Sequence, residues 1–162
     1  MKKHFYIFLD VDGVLYDWEF IRGQIRAGKI KKGGKINAFK PESIEALNYL
    51  IREKSKDNEV HIVISSTWRH YMETIIERLK EHGLDYNGEF SRTPISGDPK
   101  KRSYEIKEYL RGKTNFDYVI IDDEILDFNE QFDSSKIIKT ELYERALDQE
   151  LVTTYLNKVH KR

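Results

Sequence analysis

The chain has 162 residues, of which 39% are hydrophobic and 12% aromatic, so it can form one domain with a packed core and is too short for two comfortable ones. Its 28 basic and 28 acidic residues cancel, which argues against an overall basic nucleic-acid wrapper and against an acidic tail protein. The absence of cysteine excludes a disulfide scaffold, a thiolate zinc site and a cysteine nucleophile. Because no apolar run is long enough for a membrane span or a secretory signal, we expect a single soluble domain over residues 1–162, located in the cytoplasm.

Strand patterns recur along the chain as short apolar runs. Residues 5–9 form a continuous apolar and aromatic run, which predicts a strand buried on both faces, and similar runs follow at 60–64 and 118–121. Residues 136–140 predict one more strand at an edge of the sheet.

Helical patterns lie between these strands. Apolar residues recur at helical spacing after Pro41, from Tyr71 to Leu79, after Asp98, and after Asp148, which is predicted to cap the last helix. The alternation predicts an α/β fold with three layers, in which helices cover both faces of a doubly wound, mainly parallel sheet.

Residues 17–40 show no clear periodicity and contain several glycines, so we expect a mobile flap or a small hairpin there. Residues 20–41 contain seven basic residues and no acidic residue, which gives this basic segment a net charge of +7, whereas residues 122–150 carry −7. The basic flap is either a solvated loop that balances the acidic segment or a contact surface for a polyanion such as a nucleic-acid end. We favour contact with substrate.

Polar residues follow three of the predicted strands at their carboxyl ends, which is where open α/β sheets bind ligands. They are Asp10, Asp12 and Gly13 after the first strand, Ser65, Ser66 and Thr67 after the second, and Asp122 and Asp123 after the third. Carboxylates crowded at one edge need a divalent cation or a bound proton, and Mg²⁺ is the natural candidate. The serine and threonine hydroxyls and the basic residues at 100–102 favour binding of an oxyanion. A phosphate that lies between the metal-bound carboxylates and these groups would interact favourably with both.

The same residues resemble the motifs of a known family. FLDVDGVL at 8–15, IVISS at 62–66 and IIDD at 120–123 resemble the first, second and fourth motifs of the haloacid dehalogenase (HAD) superfamily of phosphohydrolases. The chain also resembles the small HAD phosphatase domains associated with RNA repair, in its Ser-Ser-x-Trp-Arg string at 65–69, its Arg-x-x-Glu-Ile string at 102–106 and its late Lys-Thr strand. The resemblance implies a HAD-like Rossmannoid fold. The segments 17–40 and 83–98 are too short for a large cap domain.

The resemblance also implies catalytic and metal-binding roles. Asp10 would be the nucleophile that forms an aspartyl-phosphate, and Asp12 would protonate the leaving oxygen and later activate water. Mg²⁺ would be held by Asp10, Asp122, Asp123 and the backbone carbonyl of Asp12. In the same way Ser65, with Ser66 as the alternative, would bind the transferring phosphoryl group. Lys101 and Arg102 both remain candidates for the third-motif cation.

These roles predict a Mg²⁺-dependent phosphomonoester hydrolase, and a site without a lid suits a nucleic-acid end or a nucleotide better than an enclosed metabolite. The alternatives are a phosphatase of small metabolites or phosphoproteins, and a non-catalytic module that binds phosphate or a partner on the same fold. Trp68 and Arg69 are interpreted as helix-start packing with a surface charge, and the alternative for Arg69 is a role at the edge of the active site. No pair of the five histidines has metal-ligand spacing on one face, so all five are predicted to be structural and not catalytic.

Overall fold

The computed structural model describes residues 1–34, 38–96, 98, 101–125 and 128–160. Its strands form one parallel sheet in the order β3-β2-β1-β4-β5. The strands are β1 (Lys3–Leu9), β2 (Asn58–Ile64), β3 (Phe90–Arg92), β4 (Phe116–Asp122) and β5 (Ile137–Lys139). The predicted α/β class with a parallel sheet is therefore confirmed.

The helices cover both faces of this sheet. They are α1 (Trp18–Arg26), α2 (Pro41–Ser55), α3 (Met72–Glu81), α4 (Arg102–Leu110) and α5 (Gln149–His160), with short 3₁₀ helices at Thr67–Tyr71 and Ser134–Lys136. None of the helices in the described part of the chain has the length and apolar character needed to span a bilayer.

Two apolar clusters lie on opposite faces of the sheet, because side chains alternate along a strand. Phe5, Ile7 and Leu9 of β1 pack in a cluster with buried residues of α1, α2, α3 and α5. Tyr6 and Phe8 pack in a second cluster that contains Ile106 of α4, Phe128 and Phe132. This arrangement gives the three layers that the alternating sequence pattern predicts.

Part of the segment 17–40 is a helix, which the sequence does not predict. Trp18–Arg26 form helix α1 rather than a hairpin, and the N-cap residue Asp17 accepts a hydrogen bond from the Phe20 N–H at 2.8 Å. The Asp17 carboxylate is buried and is also paired with Lys40 at 2.9 Å. This ion pair ties the two ends of the segment together. Within the described residues, segments 17–40 and 83–98 contribute only α1 and β3, so the chain has no large cap.

The strand register brings the predicted site residues to one edge of the sheet. Leu9 at the end of β1 is paired with Ile64 of β2 and with Ile121 of β4. The residues that follow these three strands therefore meet at the same edge.

Candidate active site

Three carboxylates gather at the carboxyl edge of the sheet. Ligand oxygens of Asp10, Asp122 and Asp123 lie within 4.8 Å of one another. Asp10 is 2% exposed and Asp122 is completely buried, while Asp123 is partly exposed. The structure thus brings together the three carboxylates that the resemblance assigns to the metal. The Asp12 carboxylate is not part of this group, which leaves the backbone carbonyl as the predicted contribution of Asp12.

One guanidinium group partly neutralises this cluster. Arg102 donates from Nη1 to both carboxylate oxygens of Asp122 at 3.1 and 3.2 Å, and from Nη2 to Asp10 Oδ1 at 3.4 Å. Burial and the neighbouring Asp122 nevertheless raise the pKa of Asp10 well above its usual range. Burial also raises the pKa of Asp122 to about 7, against the opposing effect of Arg102. Closely spaced hard oxygen donors with unbalanced negative charge fit a Mg²⁺ ion.

The Asp12 carboxylate is held by two aromatic side chains. The Tyr16 hydroxyl donates to Asp12 Oδ1 at 2.5 Å, and the Trp68 indole N–H donates to the same oxygen at 3.2 Å. Two donors on one oxygen fix the carboxylate in a single orientation, as a proton-transfer group requires. Sequence reasoning missed both partners, since a tyrosine and a tryptophan next to apolar runs resemble ordinary core residues.

Gly13 allows the first loop to approach the acidic cluster. Its φ of 79° lies in the left-handed region that favours glycine. A Cβ atom at this position would lie 2.4 Å from Asp123 Oδ2. Both the backbone conformation and the close approach therefore require glycine after Asp12.

The two serines after β2 have different environments. The Ser66 hydroxyl accepts a hydrogen bond from the Trp68 N–H at 3.0 Å and so caps the 3₁₀ helix. The Ser65 hydroxyl is buried and has no hydrogen-bond partner among the described residues. A buried hydroxyl without a partner is costly, and a bound oxyanion would satisfy it. Ser65 is therefore the better candidate for the phosphate-binding serine.

The two candidates for the third-motif cation are also placed differently. Arg102 lines the cavity at the acidic cluster, whereas Lys101 is exposed and is not among its lining residues. The neighbouring Lys100, which belongs to the same basic string, lies outside the described residues. Arg102 is thus the residue that the fold brings to the site.

Arg69 is not the surface charge that the sequence suggests. It is 7% exposed and forms a two-pronged ion pair with Glu105 of α4 at 2.6 and 3.1 Å. Glu105 also accepts hydrogen bonds from the backbone N–H and hydroxyl of Ser96 at 2.8 and 2.7 Å. Burial disfavours the charged form of Glu105, but these hydrogen bonds outweigh it and lower its pKa. The partner of Arg69 lies 36 residues away, so no local pattern could have revealed the pair.

Two adjoining cavities meet at Asp12. The first has a volume of about 420 Å³ and is lined by Asp10, Asp12, Arg69, Arg102, Glu105 and Asp123, among others. The second has about 650 Å³ and shares Asp12, Thr67 and His70 with the first. Its other lining residues are Tyr16, Gly34, Trp68, Tyr71, Thr74 and Arg78. An acidic cavity thus opens beside an aromatic one.

Comparison with known proteins identifies the family. A family model described as the HAD domain in Swiss Army Knife RNA repair proteins matches residues 6–152, which include all of the site residues described above. No curated protein and no solved structure gives a significant match to the chain. Because the match covers most of the chain and the parallel sheet is of the HAD type, the chain belongs to the family of HAD domains found in Swiss Army Knife RNA repair proteins.

Proposed function

We propose that this protein is a Mg²⁺-dependent phosphomonoester hydrolase that acts through an aspartyl-phosphate on Asp10. The family indicates a hydrolase of the phosphatase type. The observation that carries the proposal is the close group of Asp10, Asp122 and Asp123, of which the first two are buried, beside Arg102 at the carboxyl edge of the sheet. Asp10, Asp12 and Asp123 all line the same cavity.

The acidic group is suited to hold Mg²⁺. Asp10, Asp122 and Asp123 would provide carboxylate oxygens, and the backbone carbonyl of Asp12 would add one more. Bound there, Mg²⁺ supplies positive charge that neutralises both the carboxylates and the phosphate, which would otherwise repel a carboxylate nucleophile.

The chain's own residues divide the chemistry into two steps. An Asp10 oxygen attacks phosphorus, the bond from phosphorus to the leaving oxygen breaks, and the Asp12 carboxyl gives that oxygen a proton. In the second step Asp12 takes a proton from water, the water oxygen attacks phosphorus, and the bond to Asp10 breaks to release inorganic phosphate. Tyr16 and Trp68 would orient Asp12 for both proton transfers, and the Ser65 hydroxyl and Arg102 would bind phosphoryl oxygens.

The surroundings of the site favour a nucleotide or a nucleic-acid end as substrate. The second cavity offers the aromatic side chains of Trp68 and Tyr71 next to Asp12, and Tyr71 is 68% exposed. Aromatic faces of this kind stack with nucleobases. The basic segment has only Phe20 and Phe39, near its two ends, whereas Trp68 and Tyr71 belong to the 3₁₀ helix Thr67–Tyr71.

The basic segment reaches the second cavity. Gly34 lines the second cavity, and several cations before it are exposed and form no ion pair with a described residue. These are Arg22, Arg26, Lys29, Lys31 and Lys32. None of these five cations lines the cavity itself, but they belong to the segment that reaches it at Gly34, so they would suit a phosphodiester chain whose terminal phosphate lies at Asp10.

Hydrolysis of a chromogenic aryl phosphate tests the proposal. We expect turnover with Mg²⁺ and none with EDTA. Asp10→Asn should lose about a thousandfold or more in kcat, whereas the exposed Asp57→Asn should match the wild type. Acid quenching during turnover should trap phosphate covalently bound to the wild type and not to Asp10→Asn. Equal activity in Asp10→Asn would exclude Asp10 as the nucleophile. Failure of the wild type on every phosphate ester, DNA and RNA ends included, would indicate a non-catalytic phosphate-binding module.

A further inference from the structure

Three potential metal ligands meet at the end of the sheet that lies away from the candidate active site. His4 is near the start of β1, and Glu59 and His61 are near the start of β2. One ligand atom from each side chain lies within 4.8 Å of the other two. The sequence predicts no pair of histidines at metal-ligand spacing on one face, but strand pairing brings His4 and His61 together on one face of the sheet.

The register of the two strands builds this cluster. His4 is paired with Glu59, and Tyr6 is paired with His61. Positions two apart on a strand point to the same face, so all of these side chains share one face of the sheet. The side chains of His4, His61 and Glu59 are 38%, 23% and 61% exposed, so an ion from solvent can reach them.

The spacing of the ligand atoms suits a tetrahedral ion. His4 Nδ1 lies 2.9 Å from His61 Nε2 and 3.5 Å from Glu59 Oε2, and His61 Nε2 lies 4.0 Å from Glu59 Oε1. Ligands bound to Zn²⁺ at about 2.0–2.2 Å with tetrahedral angles are about 3.3–3.6 Å apart. The observed distances lie on both sides of that value, so small side-chain rotations would complete the geometry.

Neighbouring groups hold the imidazoles in place. The Tyr6 ring stacks on the His61 ring, with a centroid distance of 4.9 Å and an interplanar angle of 24°. The Tyr6 and His4 rings have the same interplanar angle and a centroid distance of 6.3 Å. Lys113 lies over the Tyr6 ring with its Nζ 5.7 Å from the centroid and is the nearby positive charge that opposes a cation.

We propose that His4, Glu59 and His61 form a site for a divalent transition-metal cation of the Zn²⁺ class, with the fourth position open to solvent. Two imidazoles and one carboxylate favour Zn²⁺ or Co²⁺ over Mg²⁺, which prefers oxygen ligands. The ion links β1 to β2 across 57 residues of chain between His4 and His61. Binding therefore stabilises the folded state by mass action, independently of the proposed hydrolase activity.

Zinc titration of the full chain tests the site. The protein is first stripped of metal with a chelator and then kept in saturating Mg²⁺, so that the acidic cluster is occupied. We expect calorimetry to show one Zn²⁺ bound per chain, Co²⁺ to give the visible absorption of a four- or five-coordinate site, and Zn²⁺ to raise Tm. His4→Ala and His61→Ala should each weaken binding by at least about tenfold, whereas the exposed His160→Ala should bind like the wild type.

Two further variants separate this site from the acidic cluster and from misfolding. Asp10→Asn should retain Zn²⁺ binding, and Lys113→Ala should bind Zn²⁺ more tightly than the wild type. Far-ultraviolet circular dichroism of His4→Ala and His61→Ala should match the wild type. The proposal is overturned if the wild type binds no Zn²⁺ in saturating Mg²⁺, or if folded His4→Ala and His61→Ala bind it as well as the wild type does. Either result would mean that His4 and His61 are joined only by a hydrogen bond and do not bind a metal.

Discussion

The two arginines of the candidate active site serve different carboxylates. Arg102 contacts Asp10 and Asp122, which belong to the acidic cluster. Arg69 is paired with Glu105 instead, and its Nη1 also donates to the Thr93 hydroxyl at 3.0 Å. The Arg69–Glu105 pair thus joins the segment after β2 to helix α4 and supports one wall of the first cavity, where both side chains are lining residues.

Glu105→Gln should strongly destabilise the protein because it leaves the buried Arg69 without its countercharge. We expect a loss of about 3 kcal/mol in the free energy of unfolding, measured with urea. The matched control is Glu108→Gln on the same helix, whose partner Arg111 is exposed, and it should change stability by less than about 0.5 kcal/mol. Equal effects of the two variants would contradict the assigned role of the pair.

The same pair should make stability depend on pH at the acid end. Although burial opposes it, hydrogen bonding lowers the pKa of Glu105 in the folded state. The ionised Glu105 carboxylate therefore stabilises the fold fully above its pKa in the unfolded chain, which is about 4.3. This stabilisation is lost as the pH falls through its lower pKa in the folded protein. The stability difference between wild type and Glu105→Gln should accordingly shrink below about pH 4.

Tyr71→Ala should weaken the binding of nucleotide substrates. If a base stacks on this ring, its loss should raise KM for a phosphorylated oligonucleotide by about tenfold. Turnover of glycerol phosphate, which has no ring to stack, should stay unchanged. Tyr143→Ala is the control, because Tyr143 is 72% exposed and lines neither of the two cavities. An equal loss on both substrates would indicate damage to the active site rather than a lost stacking surface.

At the scale of elements, the sequence pattern locates the strands that carry the site. The central strands β1, β2 and β4 of a parallel sheet are buried on both faces, so they appear as continuous apolar runs. The ends of these runs place Asp10, Ser65 and Asp122 at one edge. Helix α1 is harder to predict, since it has only nine residues, Gly23 in its middle and Ile21 as its buried residue. Strand β3 has three residues, of which only Phe90 is apolar, so it shows no apolar run, whereas the equally short β5 contains Ile137 and Ile138.

Contacts between distant segments are the part of the site that the sequence does not predict. Trp68 reaches Asp12 across 56 residues of chain, and Arg69 reaches Glu105 across 36. The cluster of His4 and His61 depends on strand register in the same way. Apolar periodicity reports which face of an element is buried, and it carries no information on which polar groups meet.

The segment with helix α1 gives a prediction of its own. Replacing Lys29, Lys31 and Lys32 together with alanine should raise KM for an oligonucleotide at low salt, and should leave aryl phosphate turnover unchanged. The effect should diminish as salt is added, because screening already weakens these contacts in the wild type. Lys35, which belongs to the same predicted contact surface, lies outside the described residues.

A matched triple variant controls for net charge. Lys80, Lys107 and Lys158 are exposed and line neither cavity, so replacing them with alanine removes the same charge from other surfaces. If that control raises KM as much as the variant of Lys29, Lys31 and Lys32, the effect comes from overall charge and not from contact at the cavity.

At the scale of the whole molecule, the net charge is zero, but acidic and basic groups lie on different sides of Asp12. The first cavity includes Asp10, Asp123 and Glu124, and the second adjoins the basic segment at Gly34. A substrate that spans both would place its terminal phosphate among groups that hold a metal and the rest of its chain beside cations and aromatic rings. The absence of a large cap leaves room for such a substrate.

The acidic cluster should also make the stability of the whole fold depend on Mg²⁺. Three carboxylates within 4.8 Å of one another repel, and Arg102 offsets only part of that repulsion. Asp122→Asn removes one of these charges. In EDTA at mildly alkaline pH it should therefore raise Tm and increase the free energy of unfolding by about 1–2 kcal/mol, while abolishing turnover. Wild-type Tm should rise on addition of Mg²⁺, and this rise should be much smaller in Asp122→Asn.

The exposed Asp57→Asn is the reference for this experiment, and it should keep both the wild-type Tm in EDTA and the wild-type response to Mg²⁺. A lower Tm for Asp122→Asn in EDTA would mean that its attraction to Arg102 exceeds its repulsion by Asp10 and Asp123. In that case the cluster would be electrostatically satisfied without a cation, and the structural argument for a metal at this edge of the sheet would fail.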